Sequence, residues 1–346
     1  DVYQVIRSHV EIPVIEHDLS HLDAAEQAAE IQRRSLADAG QLYDLKEDLL
    51  FRVQLLRLTR KGHAPEESVV LFNMHHIVSD GWSMEIFFRE LSECYAAFRR
   101  GDKAPLKPLT VQYADFACWQ RHWLQGEVLQ QQLEYWRQQL AGSPPVHSFP
   151  LDYQRPRHQD FRGKTYHQYL PPVLAARIRE FCQQHNVTLF MFLQTAYAVL
   201  VSRYSGAQDV MMGTPVAGRL HKDVEPMIGF FINMLTLRND LSGDPDFREM
   251  LARNRGMLLD SFAHQHIPFE MLVEELNPER NLSHSPLFQL AFAMPTHEQM
   301  KLSLGNVEHE ALKSGAVPSK FDIGLSVLEE GERLRVNWVY CDALFD

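Results

Sequence analysis

Two adjacent histidines, His75 and His76, stand in the part of the sequence most capable of chemistry, and Asp80 and Gly81 follow them closely. Histidine is the side chain that most readily gains and loses a proton near neutral pH. An aspartate four residues further on could pair with a cation and hold the intervening loop. A glycine permits backbone conformations that other residues resist and allows a substrate to approach closely. The spacing therefore indicates a loop that presents a proton-transfer group.

The residues around this pair predict a strand before it and a helix after it. The continuous apolar run at residues 69–72 is typical of a buried central strand. The following segment repeats apolar residues every three or four positions, with Ser83 as its predicted N-cap and Gly101 at its end. In α/β proteins the loop between a strand end and a helix is where ligands and catalytic groups usually lie.

The histidine pair also admits two less specific interpretations, a pair packed in the core or two metal ligands. Adjacent residues of a strand point to opposite faces, so His75 and His76 cannot easily bind one metal ion. His264, His266 and Glu270 have the residue types of a metal site, but no completing ligands are evident in the sequence. We predict that neither group holds a metal.

Composition limits the classes of function. The 346 residues include 34 Lys and Arg against 45 Asp and Glu, a formal net charge of −11, and no basic run is visible. Nucleic acid is therefore not an expected partner. No stretch approaches about 20 uninterrupted apolar residues, so we expect no membrane span. The four cysteines fit neither a metal site nor a disulfide framework, which favours a reducing compartment such as the cytoplasm.

The order of predicted elements indicates an α/β fold in two lobes. Residues 142–164, rich in proline with several charges, form the clearest boundary. We predict an N-terminal lobe at 1–141, a crossing segment at 142–164 and a C-terminal lobe at 165–346. Among the finer predictions are strands at 1–16 and 306–312, and a buried helix that begins near Leu189 and ends near Gly206.

Five segments, taken in order, resemble the motifs of one protein family. They are residues 74–83, 113–119, 228–234, 264–270 and 280–287. The family is that of the condensation domains of non-ribosomal peptide synthetases, which share the fold of chloramphenicol acetyltransferase. The resemblance implies two such α/β sandwich lobes in a V around a central tunnel.

Two earlier motifs of that family are missing from the sequence. They are of the types Ser-x-Ala-Gln-x-Arg and Arg-His-Glu-x-Leu-Arg. The chain opens at Asp1 without a methionine, and residues 2–6 have the pattern of the middle of a strand. We therefore expect an N-terminally truncated excerpt of a longer polypeptide.

The resemblance also implies the chemistry. In the family, an acceptor α-amine attacks a donor thioester and a peptide bond forms. The implied partners are an upstream donor and a downstream acceptor peptidyl carrier protein, together with an adenylation domain. The domain itself binds no cofactor directly, because its substrates are carried on the 4'-phosphopantetheine of the carrier proteins.

The resemblance assigns roles to individual residues. His76 is the catalytic residue, and His75 is structural and points away from it. Asp80 is a structural residue of the active site whose expected cation is Arg219, and Gly81 belongs to the same loop. The candidate tunnel-lining residues are Ser83 and Asn233. Aromatic residues at helical spacing are expected to serve packing, namely Tyr113, Phe116 and Trp119.

Three alternatives remain open. An epimerisation domain of the same superfamily carries the same histidine motif and inverts the α-carbon of a carrier-bound residue. A non-catalytic domain could recruit partner enzymes, although such members usually have a degraded motif. A small-molecule acyltransferase could use coenzyme A in place of a carrier protein.

Overall fold

The structure, a computed structural model, describes residues 3–60, 62, 65–279, 281–295, 302–312 and 317–346. Arg280, the first residue of the last motif-like segment, lies outside the described residues. The chain divides into two compact units, and each is formed from more than one stretch of sequence.

The first unit comprises Asp1–Ala117, His221–Phe231 and Gln299–Gly315. Its elements are β1 (Val14–Asp18), α1 (Ala24–Gly40), β2 (Phe51–Arg57), β3 (Ser68–Met74) and α2 (Gly81–Arg99). The strands form one sheet in the order β1-β2-β3, parallel between β1 and β2 and antiparallel between β2 and β3. Phe72 of β3 packs against Phe87 and Phe88 of α2, with ring centroids 5.4 and 5.5 Å apart. The strand that leads into the histidine motif is thus packed against the helix that follows it.

The second unit comprises Cys118–Leu220, Ile232–Glu298 and Ala316–Asp346. α3 (Tyr113–Trp123) begins in the first unit and ends in the second. The helices that follow are α4 (Gly126–Leu140), α5 (Pro172–Gln184), α6 (Leu189–Ser205), α7 (Phe247–Ala263) and α8 (Phe269–Leu276). The strands are β4 (Arg162–Tyr169), β5 (Asp209–Val216), β6 (Asn233–Asp240), β7 (Leu290–Ala293), β8 (Val317–Pro318), β9 (Ile323–Glu330) and β10 (Arg333–Cys341). They form one sheet in the order β6-β5-β7-β9-β10-β4-β8.

The larger hydrophobic core lies in the second unit. Phe288 and Phe292 are almost wholly buried there, and α6 packs on Phe292, with Tyr197, Ala198 and Val201 at most 3% exposed. The predicted burial of this helix is confirmed. Within the described residues no single helix is long and apolar enough to cross a membrane, and α5 and α6 meet that criterion only as a pair with a 111° bend between them.

The two units have different bounds from the predicted lobes. α4 falls in the predicted first lobe, but it buries Trp136 in the core of the second unit. Residues 142–164 also belong to the second unit, where the imidazole of His147 bonds the carboxylate of Asp322 at 2.8 Å. Residues 221–231 belong to the first unit. The proline-rich composition of 142–164 thus reflects an irregular backbone within one packing unit.

Two strand predictions are wrong. Residues 306–312 form no strand, and among the described residues of the strand predicted at 1–16 only those of β1 do so. β1 obtains its backbone hydrogen bonds from β2, whereas residues 3–13 adjoin no strand in the described part of the chain. An apolar pattern favours an extended backbone, but a strand also needs a neighbour that satisfies its N–H and C=O groups.

Candidate active site

The histidine motif lies at the end of β3, as the sequence predicts. The His75 amide donates to the carbonyl of Leu50 at 3.0 Å and so extends the pairing of β3 by one residue. A short 3₁₀ helix then covers His76–Val78, and α2 begins at Gly81. The motif is therefore a tight strand–turn–helix junction, anchored in the sheet at one end and in α2 at the other.

The tautomer of His76 follows from a single contact. Its Nδ1 atom lies 2.5 Å from the carbonyl oxygen of Ser79. A carbonyl oxygen only accepts hydrogen bonds, so Nδ1 carries the proton and donates it. The lone pair of the neutral ring is then on Nε2, which makes no hydrogen bond within the described part of the chain. His76 is exposed, so Nε2 can accept a proton from a bound molecule.

The neighbouring His75 has the opposite arrangement. Its Nδ1 accepts the amide hydrogen of Ile77 at 3.0 Å, so its proton, when the ring is neutral, is on Nε2. The half-buried ring packs edge-on against Tyr43, with centroids 5.5 Å apart. These contacts hold the turn together and are those of a structural residue.

Asp80 is the N-cap of α2, and the prediction that Ser83 caps this helix is wrong. Asp80 Oδ1 accepts the Ser83 amide at 2.8 Å and the Ser83 hydroxyl at 2.7 Å. The other oxygen, Oδ2, accepts the amide of Phe231 at 3.0 Å. The carboxylate is only 4% exposed, and it lies at the helix N-terminus, where the helix dipole favours a negative charge. Asp80 therefore joins the motif loop to residues 221–231, which we call the return segment.

Ser83 makes a second connection to the return segment. Its hydroxyl lies 2.8 Å from the carbonyl of Gly229 and accepts the Gly229 amide at 3.0 Å. Ser83 has no exposed surface, so its geometry fits a role in holding the loop better than the expected lining of a tunnel. Gly229 is required here, because a Cβ atom would lie 2.4 Å from the ring of Tyr113.

The aromatic residues at the start of α3 complete the attachment. The Tyr113 hydroxyl donates to the carbonyl of Phe230 at 2.8 Å. Tyr113 and Phe116 pack on Phe231 with centroids 5.1 and 4.8 Å apart, as the packing prediction for this helix implies. Trp119, by contrast, is 51% exposed.

Phe230, in the return segment, contacts His76, the predicted catalytic residue. Its ring meets the His76 ring edge-on, with centroids 5.1 Å apart and planes at 86°. Sequence reasoning missed both Phe230 and the Ser79 carbonyl. Phe230 lies far from the motif in sequence, and a backbone carbonyl leaves no signal in residue types.

Gly81 and Arg219 fit the predictions less directly. Gly81 is the first residue of α2 and has helical backbone, so the conformational freedom of glycine does not explain its presence. Close approach of a substrate remains the predicted reason. Arg219 is buried in the second unit, and its pairing with Asp80 remains a prediction.

Asn233 lies at the start of β6 in the second unit. Its Nδ2 donates to the carbonyls of Gln265 and Ile267 at 3.0 and 2.7 Å. Its Oδ1 accepts the amides of Met234 and Phe269, both at 2.9 Å. Two donors and two lone pairs are the whole capacity of an asparagine side chain, so none is left for a ligand in a tunnel. Asn233 instead fastens the turn that precedes α8.

The histidines of that turn pack against aromatic rings. His264 stacks on Tyr135 with centroids 4.0 Å apart, and His266 meets Trp123 at 4.6 Å. Burial, together with the nearby His264, lowers the pKa of His266 below its usual range. Across the described residues no group of three or more His, Cys, Asp or Glu side chains could hold a metal ion.

Comparison with known proteins agrees with this arrangement. The profile of the Condensation domain family matches residues 1–346. One component of the linear gramicidin synthase of Brevibacillus parabrevis is 43% identical over 348 residues, which cover 100% of this chain and 4% of that protein. Malpinin synthetase of Mortierella alpina is 40% identical over 323 residues, which cover 93% of this chain and 4% of that protein. The chain thus spans only a small part of the length of its curated relatives.

Solved structures show the same fold. The X-domain in its complex with OxyB from teicoplanin biosynthesis is 28% identical with a TM-score of 0.81, covering 98% of this chain and 73% of that one. A four-domain nonribosomal peptide synthetase bound to AMP and glycine is 24% identical with a TM-score of 0.78, covering 98% of this chain and 26% of that one. The predicted α/β class and the resemblance stated from the motifs are both confirmed. The chain belongs to the condensation domain family, whose members are acyltransferase-type domains that catalyse peptide-bond formation in nonribosomal peptide synthetases.

Proposed function

We propose that this domain joins two carrier-bound substrates through an amide bond. The α-amine of an acceptor aminoacyl thioester attacks the thioester carbonyl of a donor aminoacyl or peptidyl group. A C–N bond forms, the donor C–S bond breaks, and the proton lost by the amine balances the thiolate that leaves on the donor carrier. The lengthened chain remains on the acceptor carrier.

The observation that carries this proposal is the state of His76. The Nδ1 proton is donated to the Ser79 carbonyl, and the ring is exposed. A free α-amine has a pKa of about 7.7–8.0, so at pH 7 it is mostly protonated and cannot attack. Nε2 can take the proton from the amine or orient it, and help of this kind contributes typically ~10²–10⁴-fold.

Positioning accounts for more of the rate than proton transfer in this proposal. A thioester is already an activated acyl group. Holding an amine and a carbonyl in a reactive pose can supply effective molarities of about 10⁵–10⁸ M. Replacing His76 should therefore reduce turnover without abolishing it.

The surrounding residues support this role in different ways. His75, Asp80 and Gly81 hold the shape of the loop that carries His76. Arg219 is the proposed cation partner of Asp80, and removing one member of a buried ion pair costs about 3–5 kcal/mol. Access of carrier-bound substrates to His76 belongs to the same proposal.

The partners follow from the chemistry. We propose an upstream donor and a downstream acceptor peptidyl carrier protein, each with its substrate on 4'-phosphopantetheine, and an adenylation domain that supplies the aminoacyl groups. The bacterial cytoplasm is the proposed location. The four free cysteines and the Brevibacillus relative are consistent with it.

A single-turnover assay tests the proposal. Carrier domains from the same polypeptide are loaded with a panel of aminoacyl-pantetheine donors and acceptors, and intact-protein mass spectrometry follows the dipeptidyl acceptor. His76→Ala should lower the rate about 100-fold. His9→Ala, at a side chain that is 83% exposed, is the control and should have no effect. A His76→Ala rate equal to that of the unaltered domain would refute the assignment.

The likeness to an X-domain in complex with OxyB favours a second candidate, recruitment of a partner enzyme. The assay separates it from the first, because a purely recruiting domain would form no dipeptide. Deuterium entering the donor α-carbon from solvent without amide formation would indicate epimerisation. Transfer from soluble acyl-coenzyme A would indicate a small-molecule acyltransferase.

A further inference from the structure

We infer that Phe230 is a positioning residue for the His76 imidazole, and that Asp80 and Ser83 act on the imidazole by fixing Phe230. The inference rests on the proposed role of His76.

The contact between the two rings defines the plane of the imidazole. The bond from Nδ1 to the Ser79 carbonyl fixes one atom of the ring but leaves the ring able to pivot about that bond. The edge-on contact with Phe230, at 5.1 Å and 86°, supplies a second fixed point. With both in place, the ring has a defined orientation and Nε2 points in one direction.

The return segment is held at three consecutive residues around this ring. The Ser83 hydroxyl accepts the amide of Gly229 at 3.0 Å and lies 2.8 Å from the Gly229 carbonyl. The Tyr113 hydroxyl bonds the carbonyl of Phe230 at 2.8 Å. Asp80 bonds the amide of Phe231 at 3.0 Å. A backbone anchored this densely cannot shift the ring of Phe230 without breaking buried hydrogen bonds.

Two of these anchors come from the strand–turn–helix junction that also carries His76. Asp80 and Ser83 are 4% and 0% exposed, and their hydrogen bonds join the start of α2 to the return segment. Their effect on the imidazole passes through Phe230. The junction thus supplies both the His76 side chain and the two residues that hold Phe230 against it.

The kinetic test combines three substitutions of Phe230 with one of His76. Phe230→Ala should lower kcat about tenfold and leave the KM for the acceptor nearly unchanged, because the loss is one of orientation. Phe230→Leu should behave like Phe230→Ala, and Phe230→Tyr should recover most of the lost rate. In a His76→Ala background, Phe230→Ala should have little further effect, because residues that act through one another are not additive. Phe98→Leu, at a phenylalanine that is 62% exposed on α2, is the matched control and should leave kcat unchanged.

A measurement that needs no activity separates this inference from the proposed function. Long-range ¹H–¹⁵N spectra of the ring nitrogens, assigned with His76→Ala, report how far the proton resides on Nδ1. Phe230→Ala should move the His76 nitrogens towards the averaged values of a mobile ring, at an unchanged melting temperature. Unchanged nitrogen shifts in Phe230→Ala, or rate losses that multiply in the double variant, would overturn the role of Phe230. Absence of dipeptide with every carrier pair would instead refute the proposed function, and the spectra would still decide the role of Phe230.

Discussion

Several histidines of this chain, among them His122, place Nδ1 within hydrogen-bond distance of a backbone carbonyl, and two of them, in the motif loop and after α7, have different surroundings. His76 in the motif loop and His264 after α7 each place Nδ1 against a backbone carbonyl, that of Ser79 at 2.5 Å and that of Asp260 at 2.7 Å. The face of the His264 ring is covered by Tyr135, which stacks on it at 4.0 Å with planes 9° apart. The hydrogen bond from Nδ1 to a carbonyl fixes the tautomer in both residues, so by itself it does not identify a catalytic histidine.

The difference lies in how the neighbouring aromatic ring is oriented. The rings of Phe230 and His76 are nearly perpendicular and His76 is exposed, whereas Tyr135 covers a face of His264. The turn around His264 is also held by three of the four hydrogen bonds of Asn233. Of these two histidines, His76 is therefore the one available to a bound molecule, and His264 is a packing residue.

The largest expected effect compares these two histidines directly. His76→Ala should slow single-turnover amide formation about 100-fold, because Nε2 is lost from the reaction. His264→Ala should leave kcat within about threefold of the unaltered domain, because it removes a packing ring only. Equal losses in the two variants would remove the distinction between them.

The second prediction concerns Asp80, whose hydrogen bonds attach the motif loop to the return segment. Asp80→Asn keeps the shape of the side chain but presents an NH₂ group where a backbone amide or the Ser83 hydroxyl now donates. The lost hydrogen bond should lower the free energy of unfolding by about 1–3 kcal/mol and also reduce kcat. Asp23→Asn, at the exposed N-cap of α1, is the matched control, since asparagine caps a helix about as well as aspartate. Chemical denaturation of both variants gives the comparison, and equal stabilities would contradict the anchoring role.

Replacing Asn233 should lower the free energy of unfolding without a direct effect on catalysis. Asn233→Ala leaves the carbonyls of Gln265 and Ile267 and the amides of Met234 and Phe269 without their present partner. The loss should be about 1–3 kcal/mol. Asn281→Ala removes a single exposed bond to the Ser283 amide and should cost much less. If the two variants were equally stable, Asn233 would not be what holds the turn.

The smallest effect is a pH dependence in the second unit. Because the pKa of His266 is lowered in the folded state, the unfolded chain binds that proton more readily. The associated stability is complete above the unfolded pKa of about 6.5 and is lost as the pH falls towards the folded value. His266→Gln should therefore show a smaller fall in melting temperature between pH 7.5 and pH 5.5 than the unaltered domain. A larger fall would mean that the sign of the shift is wrong.

Residue types predict some features of the region around His76 and leave others undetermined. An apolar run, a histidine pair and a helical repeat are enough to predict the strand–loop–helix junction that contains His76. They do not distinguish Asp80 from Ser83 as the N-cap, because both residue types cap helices and only the hydrogen bonds decide. The partnership with Phe230 has no local signal, since tertiary packing alone brings the return segment to the loop.

The packing units could not be predicted from composition for a related reason. Prolines at 142–164 indicate an irregular backbone, but a buried bond between His147 and Asp322 keeps this segment within the second unit. The return segment is joined to the first unit by bonds from Asp80 and Ser83 that no sequence period reveals.

The protonation of the His76 ring tests the central claim most directly. Long-range ¹H–¹⁵N spectra of the ¹⁵N-labelled domain at pH 8 identify which ring nitrogen carries the proton. We predict a protonated Nδ1 and an unprotonated Nε2 for His76, together with the reverse for His75. A His76 resonance with the proton on Nε2 would leave no base facing the amine and would contradict the catalytic role of this residue.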